Sequence, residues 1–175
     1  VWVAAHGALH GPGRERGVYK STDGGHTLKQ TLFVNESTGC SDLSIDYHNP
    51  MVMYAAMWEH ERKPWTVISG GKGSGFYKSI DGEDLGPIDN GFPKEKGKTA
   101  IAVSRANPER VYALLESDSQ KELGGLFTSS DGGASWKRVS GDHRLIQRAW
   151  YYIEVFPDPV EEHTVYVLSA SAYRS

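Results

Sequence analysis

The chain has one cysteine, Cys40, in 175 residues. No internal disulfide is possible, and no Cys-pair metal motif can be written. Long apolar runs are missing too. Nothing approaches the roughly 20 residues a membrane helix needs, and Val1-Trp2-Val3-Ala4-Ala5 lacks the charged start and apolar stretch of a secretion signal. A soluble chain with no membrane span is expected. Nor is there an excess of positive charge, since 19 Lys and Arg stand against 22 Asp and Glu, a net charge of -3. That balance excludes the basic footprint of a nucleic-acid binder. What the sequence does have is 20 Gly, 9 Tyr and 5 Trp, a composition suited to short strands and tight turns.

Two motifs recur in one phase. "STDGGHTL" (Ser21–Leu28) returns as "SIDGEDLG" (Ser79–Gly86) and "SSDGGASW" (Ser129–Trp136). Asn49-Pro50, Asn107-Pro108 and Asp158-Pro159 each precede a Val/Met-Tyr segment centred on Tyr54, Tyr112 or Tyr166. Both motifs repeat at roughly 50–58 residues, the length of a four-stranded propeller blade. An alternating first strand precedes each Asn/Asp-Pro turn: Leu43 and Ile45, then Ile101 and Val103, then Ile153 and Val155. The Tyr segments are second strands, Gly17–Lys20, Gly75–Lys78 and Gly125–Thr128 are third strands, and a fourth follows each Asp-Gly turn. The expected fold is all-β, about three and a half propeller blades of four antiparallel strands, in units 1–39, 40–97, 98–149 and a partial 150–175. Because propellers close with four to eight blades, this predicts part of a larger ring. Its open blade edges are expected to favour self-association.

Each Asp-Gly motif reads as a structural joint and not as an active site. The carboxylate accepts backbone N–H groups, the glycines allow positive φ, and Ser bonds locally. Three copies on three blades cannot form one constellation. The structural set is Ser21, Asp23 and Gly25; Ser79 and Asp81; and Ser129, Asp131, Gly133 and Trp136, with Trp136 directed into a blade interface. The pattern Ser-x-Asp-x-Gly-x-Thr/Ser-Trp resembles the Asp-box, or BNR repeat, of sialidases, xyloglucanase-type glycoside hydrolases, sortilin-like propellers and photosystem II assembly factors. With "GSGFYKS", "NPERVYAL" and "QRAWYYIEVFPDP", the chain looks most like large bacterial sortilin-like repeat proteins described as glycosyl hydrolases. The resemblance spans nearly the whole chain and implies a secreted or periplasmic location. Leu28 replaces the Trp in the first box, and Glu83, Leu85 and Gly86 depart from the second, so a reshaped second joint is expected.

A binding site is expected on the face opposite these turns, where connections between second and third strands and between blades emerge. One connection, Met57–Pro64 and Trp65, concentrates Trp58, Glu59, Glu61, Arg62 and Trp65 before a Gly-rich run at 70–75. Another carries Arg148, Trp150 and Tyr151, and the first blade offers His6, His10, Arg14, Glu15 and Arg16. Aromatic rings beside Arg and carboxylates suit a glycan, and a peptide ligand is equally open. The competing reading has Trp58 and Trp65 pinning a long loop with a solvated rim. A glycoside hydrolase needs two carboxylates; Glu59 and Glu61 are its candidates, with Glu154 a further one. A third reading makes these blades a scaffold for a site elsewhere. No metal or cofactor is expected: Gly7, Gly11, Pro12 and Gly13 break the His6–His10 spacing, and no helix follows the Gly-rich run.

Overall fold

The computed structural model describes residues 1–117 and 123–175; residues 118–122, in the third sequence unit, lie outside it. Four antiparallel sheets follow one another along the chain. The first contains β1 (Trp2–Ala5), β2 (Gly17–Lys20) and β3 (Lys29–Leu32). In the second, β4 (Thr38–Ile45), β5 (Met53–Lys63), β7 (Gly75–Ser79) and β8 (Gly86–Pro87) lie side by side, and β6 (Thr66–Ser69) pairs with the far half of β5. The third runs β9 (Thr99–Val103), β10 (Val111–Leu115), β11 (Gly125–Ser129) and β12 (Lys137–Ser140) in consecutive order. The fourth contains β13 (Glu154–Pro157), β14 (Val165–Leu168) and β15 (Ala172–Arg174). These are propeller blades, stacked through contacts of β1 with β4, β4 with β9 and β9 with β13.

The second strands show why blades stack. Tyr54 and Ala56 face the third blade, while Met53, Ala55 and Met57 face the first. In β10 the alternation continues, with Val111, Ala113 and Leu115 in the core shared with the second blade and Tyr112 and Leu114 in the core shared with the fourth. Successive side chains of a strand point to opposite faces. A blade covered on both faces therefore needs an unbroken apolar run, which is what VYALL supplies.

The Asp-Gly turns join strands three and four and also tie neighbouring blades together. Ser21 Oγ and Ser129 Oγ each accept the N–H of the glycine four residues on, both at 2.8 Å. Asp23 and Asp131 accept the N–H of Thr27 and Ser135, both at 2.9 Å, together with their hydroxyls. The second turn is wired differently: Asp81 takes the N–H groups of Glu83 and Asp84 at 2.8 and 3.1 Å, and Ser79 takes that of Gly82 at 3.0 Å. With Glu83 in place of Gly25 and Gly133, and Leu85 in place of Thr27 and Ser135, the hydroxyl contact is lost and the turn tightens, and β8 is only two residues long. From the preceding blade, Tyr54 Oη and Lys78 Nζ both donate to the Gly132 carbonyl, at 3.0 and 2.7 Å. Lys20 reaches the Gly82 carbonyl and Glu83 in the same way.

Gly17 and Gly125 open the third strands of their blades with φ of 124° and 136°. A Cβ there would lie 2.0 and 2.1 Å from the carbonyl oxygens of Leu32 and Ser140. Each precedes a register shift in the ladder, so only glycine fits the kink.

On the opposite face the structure departs from the sequence reading. The connection after Met57 is not a loop: β5 continues through Trp58–Lys63 and folds back as β6 around a two-residue turn at Pro64 and Trp65. The charges of Glu59, Glu61, Arg62 and Lys63 masked a strand whose partner, Thr66-Val67-Ile68, is β-branched throughout.

Candidate functional site

The hairpin β5–β6 forms one wall of a cleft of about 250 Å³. His6 and Leu9 come from the connection after β1, Lys98 from the approach to β9, and Trp150 and Tyr151 from the segment before β13. Trp58 and His60, two residues apart on β5, share a face and stack at 4.4 Å between ring centroids. His6 lies 3.9 Å from His60 and 5.3 Å from Trp58. Lys98 Nζ sits 4.7 Å above the Trp58 ring, and the guanidinium groups of Arg62 and Arg148 lie 6.0 and 5.9 Å from the Trp150 ring centroid. Such distances permit cation–π attraction. Arg148 adopts φ 68°, and its carbonyl accepts the Tyr151 N–H at 2.9 Å. A non-glycine residue in this region signals a turn held by its surroundings; here it sets Trp150 and Tyr151 at the cleft mouth. A larger cavity, about 420 Å³, lies between β6 and residues 94–97, but no aromatic ring lines it.

Behind the rings lies Arg16, with no exposed surface. Its guanidinium donates to the carbonyls of Ala8, Gly11 and Ser37 at 2.6, 3.0 and 3.0 Å and contacts the His60 ring at 3.2 Å. Nε of Arg16 and Nε1 of Trp58 have no partner among the described residues. Loss of hydration, with the His6 and Arg16 charges adding to it, lowers the His60 pKa to about 3. Burial, then Lys98, lowers that of His6. Both imidazoles are therefore neutral near pH 7, and the positive charge of the cleft rests on Lys and Arg.

The innermost strands hold a second group of ionisable residues. Asp42 on β4 accepts the N–H groups of Leu43 and Ile101 at 2.8 and 2.9 Å, and Ser44 Oγ accepts that of Val103 at 3.0 Å. Two blades are thus joined by side chains where no strand ladder connects them. Desolvation, against the pull of the Ile101 N–H, raises the Asp42 pKa from 3.8 to about 7; burial also raises Glu154 and lowers Lys98. Because the folded pKa of Asp42 exceeds its ordinary value, the protonated form favours the fold. Stability from this group is full below about pH 4 and lost as pH rises through 7. Asp131 acts oppositely: hydrogen bonds from Ser129 and Ser135 hold it near 2, so its contribution is whole above pH 4 and lost towards 2. His60, held far below its ordinary value, contributes in the opposite sense over the same range, so the effect of Asp42 is read as a difference: between pH 5 and 6.5 the stability of the wild type relative to Asp42→Asn is expected to fall with a slope approaching about 1.4 kcal/mol per pH unit. Urea unfolding across that range checks this; an unchanged slope in the variant contradicts it.

The structure brings Trp58, Glu61, Arg62, Trp150 and Tyr151 to the cleft, with Arg148 stacked at its rim. Trp65 lies apart at the hairpin tip, 79% exposed. Glu61 pairs with Lys63 at 2.8 Å. Glu59 points elsewhere, accepting the Gly73 N–H at 2.8 Å while the Gly-rich run wraps its carboxylate; a Cβ on Gly71 would lie 2.4 Å from the carboxyl carbon. Sequence reading gave no role to Lys98, His60 or Asp42, and it set Arg16 on the ligand face, where the structure instead buries it behind the rings. The repeat phase carried a signal for Lys98, which immediately precedes a first strand and so falls where inter-blade connections emerge.

No family model matches the chain, and no curated protein matches it. Among solved structures it is similar to the GH74 xyloglucanase from Xanthomonas campestris, at 15% identity and TM-score 0.66, over 92% of this chain and 24% of that one. It is similar also to a GH74 enzyme from Niastella koreensis, at 19% identity and TM-score 0.60, over 98% of this chain and 25% of that one. An ancestral GH74 enzyme matches at 18% identity and TM-score 0.59, over 99% of this chain and 22% of that one. The chain spans about a quarter of the length of these structures. At such identity the likeness establishes the fold, a β-propeller of the kind found in glycoside hydrolases. No helix among the described residues is long and apolar enough to cross a membrane.

Proposed function

We propose that this chain is an Asp-box (BNR-type) propeller segment that binds a glycan in the cleft between β5–β6 and Trp150. One observation carries the reading: connections from the first, second and fourth blades converge on a single cleft containing Trp58, Trp150 and Tyr151. Pyranose rings present C–H faces that lie on aromatic rings, and their hydroxyls pair with Arg and Lys. The volume, just below the roughly 300–1,000 Å³ of pockets for drug-sized ligands, fits one sugar residue of a longer chain. The GH74 neighbours, one a xyloglucanase, agree with a carbohydrate ligand.

Tryptophan fluorescence titration with a panel of plant and bacterial oligosaccharides, xyloglucan fragments included, tests the proposal. Trp150→Ala is expected to weaken binding tenfold or more, as loss of a central aromatic anchor does. Trp65→Ala, at the exposed tip, is expected to leave it unchanged. If no saccharide binds, or if both variants bind like the parent, the cleft is not a glycan site.

The hydrolase alternative retains a specific observation, the raised pKa values of Asp42 on β4 and Glu154 on β13, which line one cavity on either side of β9. A carboxyl group raised towards neutrality, as that of Asp42 is, suits general acid catalysis. Under that reading Glu154→Gln abolishes hydrolysis while binding persists, and Glu59→Gln and Glu61→Gln decide whether the hairpin carboxylates take part.

A further inference from the structure

We infer that the sugar taken by this cleft is anionic, a uronic acid or a similarly carboxylated residue. The inference rests on the glycan reading above and adds its charge.

The groups facing the cleft are unevenly signed. From β5 come Arg62 and Glu61, from the approach to β9 Lys98, from the segment before β13 Arg148, and from the connection after β1 the neutral His6. Glu61, the carboxylate lining the cleft, is already paired with Lys63 at 2.8 Å. Among the described residues, no carboxylate lies within 4.0 Å of the charged nitrogens of Lys98, Arg62, Arg148 or Arg16. Asp42, Glu116 and Glu154 act on Lys98 only from longer range. Arg16, fully buried one ring behind the cleft, has its hydrogen bonds taken by carbonyls and an imidazole. Those bonds leave its Nε without a partner and its charge in place, with Glu15 and Glu61 acting on it only from longer range. A buried cation with no carboxylate in direct contact is costly, and a closer counter-charge relieves that cost.

The cations also sit where a ring carboxylate would meet them. Lys98 lies over Trp58, and Arg62 and Arg148 flank Trp150. A sugar resting on either indole would direct its equatorial substituents towards an ammonium or guanidinium group. A neutral sugar brings no counter-charge to these cations and offers only hydroxyls. A carboxylate forms charge-assisted hydrogen bonds, roughly twice as strong as neutral ones. Two neutral histidines complete the surround. They add no charge of their own and take up a proton more readily once an anion lies beside them.

The test is a matched pair, trigalacturonate and its methyl ester, which differ in charge and hardly in shape. Calorimetry at low salt is expected to show the acid binding about tenfold or more tighter, the preference shrinking as salt is raised. In the double variant Arg62→Gln, Arg148→Gln the preference is expected to fall towards equality. As an independent readout, binding of the acid should raise the His6 pKa in an NMR titration. Equal binding of acid and ester, or an acid preference untouched by the double variant, overturns the inference and leaves the glycan reading intact. If neither binds while neutral oligosaccharides do, the inference alone fails. If no saccharide binds at all, both fail.

Discussion

Truncating Trp136 to alanine is expected to cost about 3–5 kcal/mol of stability, as for other large buried aromatics. The indole leaves the third Asp-Gly turn and enters the core between the second and third blades, where it is 6% exposed. Phe92 lies 4.7 Å away and Phe76 6.2 Å. Alanine would leave a void that the stiff ladder β9–β12 cannot close. The first turn supplies an internal control. Leu28 occupies the equivalent position and is 52% exposed, so Leu28→Ala is expected to change stability by less than about 0.5 kcal/mol. Urea unfolding of the two variants beside the parent decides it; similar losses at both positions would mean that the Trp position of the turn is not what ties these blades.

Arg16→Met should be nearly as damaging, about 3 kcal/mol or more, and for a different reason. Methionine fills much of the volume but abandons the carbonyls of Ala8, Gly11 and Ser37, and each buried acceptor left alone costs about 1 kcal/mol or more. His60 also loses its neighbour, so the stack with Trp58 and His6 loosens. The expected result is a lowered urea midpoint together with weaker ligand binding. Arg16→Lys should recover little, because one ammonium cannot span three divergent carbonyls. A methionine variant as stable as the parent would show that the buried cation carries no structural role.

Much of the architecture was legible because repetition reports on packing that every blade needs. Tyr54 and Tyr112 recur in phase because each must reach the turn of the following blade, as Tyr54 does at Gly132 and Tyr112 at the Glu162 carbonyl. The extension of β5 was not legible, since Glu59 and Glu61 alternate with Trp58 and His60, whose burial depends on His6 and Lys98, and two further charges, Arg62 and Lys63, follow. The cleft was legible only as a face. Trp150 and Tyr151 could be assigned to it from strand order, whereas Trp58 and Trp65, seven residues apart, were indistinguishable until the hairpin turn separated them. Arg16 was read as a residue of the ligand face, and its burial was hidden for a deeper reason. Its partners are backbone carbonyls, and carbonyls leave no mark in a sequence.

The bonds that Lys and Tyr side chains make to the turns of the next blade have a direction, opposite to that of Ile101 and Val103 onto Asp42 and Ser44. In the pairs Lys20 with Gly82, Tyr54 and Lys78 with Gly132, and Tyr112 with Glu162, the donor belongs to the earlier blade and the acceptor to the later one. During synthesis from the N-terminus, each blade therefore emerges with its tyrosine hydroxyl or lysine ammonium still unmatched. It completes its own hydrogen bonding only when the next turn has formed, so the order of translation becomes the order in which the stack locks.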